Sequence, residues 1–138
     1  MPTVNLDTLI EAACVKLLTT AGVTAFAGMD DSTLTLPSSV VCCRGGTEFP
    51  IGSGNFWQTM SVKHSSAADV TTLVDHRSDC ADTFNVFMSD TLAADLSATF
   101  SNFCVIGVRN RRYEATSTEN RIWTSELTFE ALTCASDL

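Results

Sequence analysis

The spacing of apolar residues along the chain predicts two amphipathic helices. From Leu6 to Leu18, apolar side chains recur every three or four residues, which places them on one face of a helix. The same spacing recurs from Asp79 to Ser101, where it includes Phe84 and Phe87. The preceding segment, Ser66 to Arg77, fits either a linker or the first turn of this second helix.

Four further segments have the pattern of β-strands. Val40 to Arg44 and Phe103 to Val108 are short apolar runs typical of buried strands, whereas Phe56 to Ser65 and Ile122 to Ala131 alternate between apolar and polar residues. The order of these elements predicts a single α+β domain over residues 1–138. We expect a mainly antiparallel sheet of about four to five strands with two helices packed on one face.

Two polar segments separate the strands. Gly45 to Asn55 contains four glycines and a proline, so it is predicted to be a loop, and it carries the apolar residues Phe49 and Ile51. Arg109 to Arg121 contains four arginines and Tyr113, which predicts a long polar hairpin or a mobile loop. No composition shift marks a second domain.

The charge of the chain narrows the possible functions. Eight Lys and Arg against sixteen Asp and Glu give a net charge of -8 across 138 residues, which opposes attraction to DNA phosphates or anionic lipids. No apolar run approaches the length needed to cross a bilayer, and the first residues lack the basic start of a secretory signal. We therefore expect a soluble protein that neither grips DNA nor enters a membrane.

The six cysteines allow two interpretations. An even count in a small chain is compatible with three disulfides. However, Cys14 lies on the apolar face of the first helix, Cys42 and Cys43 follow two valines, and Cys104 and Cys134 lie in strand-like runs. These positions favour buried free thiols in a reducing compartment, with disulfide pairing as the minority alternative.

One group of residues has the composition of a thiol active site. Asp75, His76, Asp79 and Cys80 are close in sequence, and His64 precedes them. A cysteine nucleophile needs a base within hydrogen-bond reach and surroundings that favour the thiolate. Cys80 is in phase with the buried face of the second helix, so a core role is favoured, and we predict no catalytic residues. A small cytosolic thiol hydrolase using Cys80 with His76 remains the alternative.

The usual signatures of metal and cofactor sites are missing from the sequence. It contains no C-x-x-C, C-x-x-H or H-E-x-x-H pattern. Asp30 and Asp31 lack the glycine and terminal glutamate of a calcium-binding loop. The glycines of residues 45–55 lack the lysine of a phosphate-binding loop, since no lysine lies between Lys16 and Lys63. We therefore predict neither a bound metal nor a cofactor.

Two loops have the composition of protein interfaces. The arginines with Tyr113 fit either contact with an acidic partner or a solvated hairpin tip, and apolar residues on a flexible loop are costly unless they fold back or dock. Asp30 and Asp31 are possible acidic complements. The candidate interface residues are Arg109, Arg111, Arg112, Tyr113, Arg121, Phe49, Ile51, Asp30 and Asp31.

The order of elements resembles a family of phage proteins. The resemblance covers the helix Leu6 to Leu18, the strand Val40 to Arg44 with the glycine-rich loop and Gly54-Asn55-Phe56-Trp57, the helix after His76, and the closing segment Arg121 to Phe129. In this layout the chain resembles the tail terminators and neck proteins of tailed bacteriophages.

The resemblance implies a structural role without catalytic residues or cofactors. It implies a homo-oligomeric ring, typically of six copies, that caps the tail tube and joins it to the head–tail connector of the virion after assembly in the host cytoplasm. An acidic ring would let DNA pass through its lumen without binding, because like charges repel. Another neck protein or a head-completion protein is an alternative of the same structural class. So is a tail tube protein, although the resemblance implies a longer polymerising sheet for tube subunits than the sequence predicts.

Overall fold

Residues 6–28 and 37–135 of the computed structural model are described, and they form three helices and five strands. The strands form one sheet in the order β1-β2-β3-β5-β4, which confirms the predicted α+β class. The elements are α1 (Leu6–Thr20), β1 (Ala25–Ala27), β2 (Ser38–Glu48), β3 (Phe56–Ala67), α2 (Leu73–Asn85), α3 (Leu92–Ser97), β4 (Phe103–Glu119) and β5 (Ile122–Ala135).

The sheet is antiparallel except at one edge, where the short strand β1 runs parallel to β2. The pairing of β3 with β5 has no register shift from Phe56 opposite Thr133 to Ala67 opposite Ile122. The pairing of β4 with β5 shifts register at three places. The predicted polar hairpin is therefore the outer half of these two strands rather than a mobile loop.

The β4–β5 hairpin closes through a tight turn. Asn120 and Arg121 have φ angles of 53° and 61° and lie between Glu119 and Ile122, which pair with each other. Left-handed backbone at two consecutive turn residues matches the twist of the flanking strands, and asparagine tolerates this conformation. The turn thus fixes the register of the hairpin.

The predicted second helix is two helices. α2 begins at Leu73, where the Thr72 hydroxyl accepts a hydrogen bond from the Asp75 backbone N–H at 3.2 Å, and it ends at Asn85. Before α3, the Ser89 hydroxyl accepts a hydrogen bond from the Thr91 backbone N–H at 3.1 Å. Short hydroxyl side chains compete with helical hydrogen bonding in this way. The backbone helix is therefore interrupted, although the apolar spacing continues across the break.

The core lies between the helices and one face of the sheet. Even-numbered residues of β3 and odd-numbered residues of β5 face the helices, because side chains alternate along a strand. This core includes buried residues from both strands and from all three helices. They are Ile10, Ala13, Cys14, Leu18, Met60, Val62, Cys80, Phe84, Leu92, Leu96, Leu127, Phe129 and Ala131.

The prediction that all six cysteines are free thiols is wrong for one pair. Cys104 in β4 and Cys134 in β5 are register partners, their Cα atoms are 5.5 Å apart, and they form a disulfide. The pairing arises only when the hairpin brings two positions thirty residues apart into register. Cys14 and Cys80 are buried thiols, as predicted.

Within residues 6–28 and 37–135, no helix is long and apolar enough to span a bilayer. The longest helix there, α1, has 15 residues, fewer than the roughly 20 that a spanning helix needs.

Replacing Phe129 tests the core. Its side chain is 1% exposed and stacks on Phe87 with ring centroids 5.4 Å apart, so Phe129→Ala should lower the free energy of unfolding by about 3–5 kcal/mol. Thr128→Ala, on the opposite face of the same strand, should change it by less than about 1 kcal/mol. Equal losses in urea denaturation would contradict the assigned faces.

Candidate functional site

A polar cluster interrupts the apolar interface between α2 and the sheet. His64 lies on the helix-facing side of β3, and Ser125 lies on the same side of β5 as its register partner. His76 and Cys80 face them from α2, because residues four apart lie on one face of a helix. All four side chains are buried, and they bring two imidazoles, a thiol and a hydroxyl together. We therefore take this cluster as the candidate site.

The donor atoms of the cluster are close together. His76 Nε2 lies 3.3 Å from Cys80 Sγ and 3.1 Å from Ser125 Oγ. The Ser125 hydroxyl also forms a 2.8 Å hydrogen bond with the Thr116 hydroxyl. The rings of His64 and His76 are 5.6 Å apart between centroids.

A serine hydroxyl holds each imidazole by its other nitrogen. Ser39 Oγ is hydrogen-bonded to His64 Nδ1, and Ser66 Oγ to His76 Nδ1, both at 2.9 Å. Nε2 is then the second nitrogen of each ring, and in His76 it is the atom that contacts Ser125 Oγ and Cys80 Sγ. Within the described residues, His64 Nε2 is buried and has no hydrogen-bond partner.

Burial controls the charge of the cluster. His64 is 4% exposed and His76 is fully buried, and desolvation lowers the pKa of both imidazoles, with the nearby Asp79 acting in the opposite direction. Burial raises the pKa of the Cys80 thiol, and the hydrogen bond with Ser125 offsets only part of this. The cluster therefore holds neutral imidazoles and a protonated thiol at neutral pH.

These properties bear on the thiol hydrolase alternative. The structure does bring Cys80 within reach of His76, as that alternative requires. However, a reactive cysteine needs a lowered pKa and access to substrate, whereas Cys80 is 6% exposed and its pKa is raised. Asp75 is exposed at the start of α2 and forms none of the described contacts within the cluster. The geometry does not favour a nucleophile here.

Two of the predicted interface arginines contact their own chain. The Arg109 guanidinium lies 3.8 Å above the Trp57 ring and forms a 3.1 Å ion pair with Glu130. Arg111 donates hydrogen bonds to the carbonyl oxygens of Phe87 at 2.7 Å and Ser89 at 2.9 Å. Arg109 therefore links β4 to β3 and β5, and Arg111 links β4 to the segment that follows α2.

The other candidates in the hairpin are exposed. Arg112 and Tyr113 lie on the edge strand β4, and Tyr113 is 69% exposed. Arg121 is exposed in the hairpin turn. Asp30 and Asp31, the proposed acidic complements, lie outside the described residues.

The β2–β3 loop presents its apolar residues to solvent. Phe49 is 62% exposed and Ile51 is 95% exposed, and we call these two residues the loop patch. The Glu48 carboxylate accepts hydrogen bonds from the backbone N–H groups of Gly52 at 2.9 Å and Gly54 at 3.0 Å, which lowers its pKa. These bonds order the loop in a conformation that leaves both apolar side chains outside the core.

A second apolar patch, which sequence reasoning missed, lies at the other end of the sheet. Val70 is 82% exposed and Val74 is 76% exposed, and the backbone N–H of Ala68 donates to the carbonyl oxygen of Arg121 at 2.8 Å. We call Val70, Val74 and Arg121 the turn patch. The sequence does show both valines, but they lie in Ser66 to Arg77, the segment that fits either a linker or the first turn of a helix.

The length of β3 separates the two patches. This strand has 12 residues and begins beside the loop patch and ends beside the turn patch. At roughly 3.3 Å per residue the ends are about 36 Å apart. The molecule thus presents exposed apolar surface at opposite ends of one sheet.

The sequence matches no protein-family model, and no curated protein shows significant similarity to it. The features that bear on function are therefore the buried cluster and the exposed patches themselves.

The buried histidines predict a pH dependence of stability. The unfolded chain binds more protons than the folded chain once pH falls toward 6.5, the ordinary pKa of histidine, because both folded pKa values are lower. Stability should therefore fall as pH drops from 7.5 to 5.5, by at most about 1.4 kcal/mol per pH unit for each histidine.

These are the only two histidines in the chain, so the upper part of this pH range reports on them with little contribution from carboxylates. Urea denaturation at half-unit pH steps measures the slope, which should be smaller in His64→Gln. A stability that stays level or rises on acidification would contradict the burial of neutral imidazoles.

Proposed function

We propose that this protein is a structural virion protein that forms a ring, of six copies as the family resemblance implies, at the neck end of a phage tail. The ring caps the tail tube and joins it to the head–tail connector. The observation that favours this proposal is the exposed apolar surface at opposite ends of the sheet, the loop patch and the turn patch. Exposed apolar residues on ordered segments are typical of protein contacts.

Two unlike patches suit a ring. Neighbours in a ring make head-to-tail contacts, in which one surface of a subunit meets a different surface of the next. The loop patch consists of Phe49 and Ile51, whereas the turn patch combines two valines with the cationic Arg121. Two patches of different composition at opposite ends favour head-to-tail contacts over the contact of a symmetric dimer, in which the same surface meets itself.

The edge strand β4 offers a further contact surface. Near its start the Ser97 hydroxyl bonds both the N–H and the carbonyl oxygen of Val105, at 2.8 and 3.1 Å, so α3 covers this part of the edge. Arg112 and Tyr113, farther along, are exposed. An edge strand presents backbone groups that can pair with another chain. This supports assembly with a second copy or with a tail protein.

The charge fits the passage of DNA. Each chain has a net charge of -8, and a ring multiplies that charge around its lumen. Negative charge repels the phosphates of a passing duplex and prevents adhesion. The same argument fits the alternatives of another neck protein, a head-completion protein or a tail tube protein. A tube protein would differ by polymerising beyond a single ring.

Replacing an exposed apolar residue of the loop patch tests the ring. Ile51→Asp should leave the fold intact, because Ile51 is 95% exposed, and should weaken assembly at least tenfold, because a charge would enter an apolar contact. Arg112→Glu should also weaken assembly without a large fall in melting temperature. Native mass spectrometry across a concentration series measures both.

Met88→Asp serves as the control, because Met88 is also a partly exposed apolar residue, at 39%, and belongs to neither patch. It should assemble as the wild type does. A wild-type chain that remains monomeric at all concentrations, or an Ile51→Asp chain that assembles normally, would contradict the proposal.

A further inference from the structure

The buried cluster contains the residue types that bind transition metals. Among the described residues, His64, His76 and Cys80 each offer one donor atom, and all three donor atoms lie within 4.8 Å of one another. Imidazole nitrogen and thiolate sulfur are the ligands that zinc prefers in proteins. The three residues come from a strand and a helix that meet only in the folded chain.

The contacts around the two imidazoles match those of metal ligands. A metal-bound histidine usually directs its other ring nitrogen to an oxygen partner, which fixes the tautomer and the ring orientation. Ser39 Oγ and Ser66 Oγ lie at this position for His64 and His76, each 2.9 Å from Nδ1, and each oxygen accepts when the ring proton is on Nδ1. In that tautomer both rings direct the Nε2 lone pair into the cluster, where His64 Nε2 has no partner among the described residues and His76 Nε2 contacts Ser125 Oγ and Cys80 Sγ.

An unpartnered nitrogen gives an independent indication. His64 is 4% exposed, and its Nε2 has no hydrogen-bond partner among the described residues. A buried polar atom without a partner loses its hydrogen bond to water and gains none in return, so such atoms are uncommon unless they serve another purpose. A cation that accepts the nitrogen lone pair would remove this cost.

The geometry points to a zinc site in which His64 Nε2, His76 Nε2 and Cys80 Sγ bind one Zn²⁺. Bond lengths of about 2.0–2.1 Å to nitrogen and 2.3 Å to sulfur place tetrahedral donors roughly 3.3–3.6 Å apart. His76 Nε2 and Cys80 Sγ, at 3.3 Å, already have this spacing. One ring nitrogen of each histidine and Cys80 Sγ lie within 4.8 Å of one another, so the widest pair needs an approach of about 1 Å.

The surroundings favour zinc with a water as fourth ligand. Ser125 Oγ lies 3.1 Å from His76 Nε2, so a hydroxyl is available to hydrogen-bond that water. Copper sites with two histidines and one cysteine usually have a weak, long fourth ligand instead, most often a methionine thioether. Asp79 lies close enough to affect the pKa of all three donors, and its carboxylate complements the added positive charge.

Binding has a defined proton balance. Cys80 is a protonated thiol before the ion arrives, so its sulfur loses one proton to solvent as the Zn–S bond forms, whereas both imidazoles bind in the neutral form. Each ion bound therefore releases one proton. The ion, the thiolate and the two imidazoles together have a net charge of +1.

The ion would hold α2 to the sheet. Two of the four buried residues of this helix, His76 and Thr83, are polar, so apolar contact alone attaches it weakly. His64 belongs to β3, so a shared ion links the two elements directly, and metal binding adds its free energy to folding. This role is independent of whether the chain forms a ring.

Cobalt titration tests the site. Purified full-length protein is treated with a chelator, dialysed and titrated with Co²⁺, followed by Zn²⁺ in competition. We expect one ion per chain, a thiolate-to-cobalt charge-transfer band that Zn²⁺ removes, one proton released per ion, and a higher melting temperature with Zn²⁺ than with chelator.

Matched variants separate metal binding from packing. Cys80→Ala and His64→Gln should each lose the charge-transfer band or weaken binding at least tenfold. Cys14→Ala removes another buried helical thiol, one that lies outside the cluster, and should bind one ion with the wild-type spectrum. A wild-type chain that shows no charge-transfer band would overturn the proposal without reference to any variant. A Cys80→Ala chain that binds Co²⁺ with the wild-type spectrum and affinity would also overturn it.

Discussion

The unbroken antiparallel pairing of β3 with β5 determines the arrangement of the rest of the molecule. Because the register has no shift from Phe56 to Ala67, alternate residues of both strands share a face along the whole length. One face holds Met60 with Phe129 in the core and His64 with Ser125 in the polar cluster. A slip of one residue would exchange the two faces and disrupt the core and the polar cluster at the same time.

The same pairing determines the outer face and the ends of the sheet. On the outer face, Glu126 forms an ion pair with Arg44 and a hydrogen bond with the Ser61 hydroxyl. At the ends, the length of β3 separates the loop patch from the turn patch. The cluster is buried and the patches are exposed, so we infer that the chain acts on other molecules through its ends while the cluster stabilises its interior.

Much of the fold could be predicted from local pattern. Alternation located β3 and β5, and helical spacing located α1, because these signals depend only on neighbouring residues. The break between α2 and α3 was missed because the apolar spacing continues across the non-helical residues 86–91, where the Ser89 hydroxyl accepts from the Thr91 backbone N–H. The Cys104–Cys134 disulfide was missed because it depends on strand register.

The candidate site was less accessible to sequence reasoning. His76 and Cys80 are four residues apart on a helix, a spacing that could have been noticed, but His64 joins them only through tertiary packing. The paired motifs of common zinc sites do not detect such a group. Likewise, the engagement of Arg109 by Trp57 and Glu130 appears only when the β4–β5 pairing is known.

The most direct measurement of the central claim, the proposed ring at the end of a phage tail, is electron microscopy of the purified chain alone and mixed with phage tail tubes. We expect closed rings in the free protein and one additional ring of density at a single end of each tube. Free protein that stays monomeric, together with tubes whose two ends remain unchanged, would contradict it.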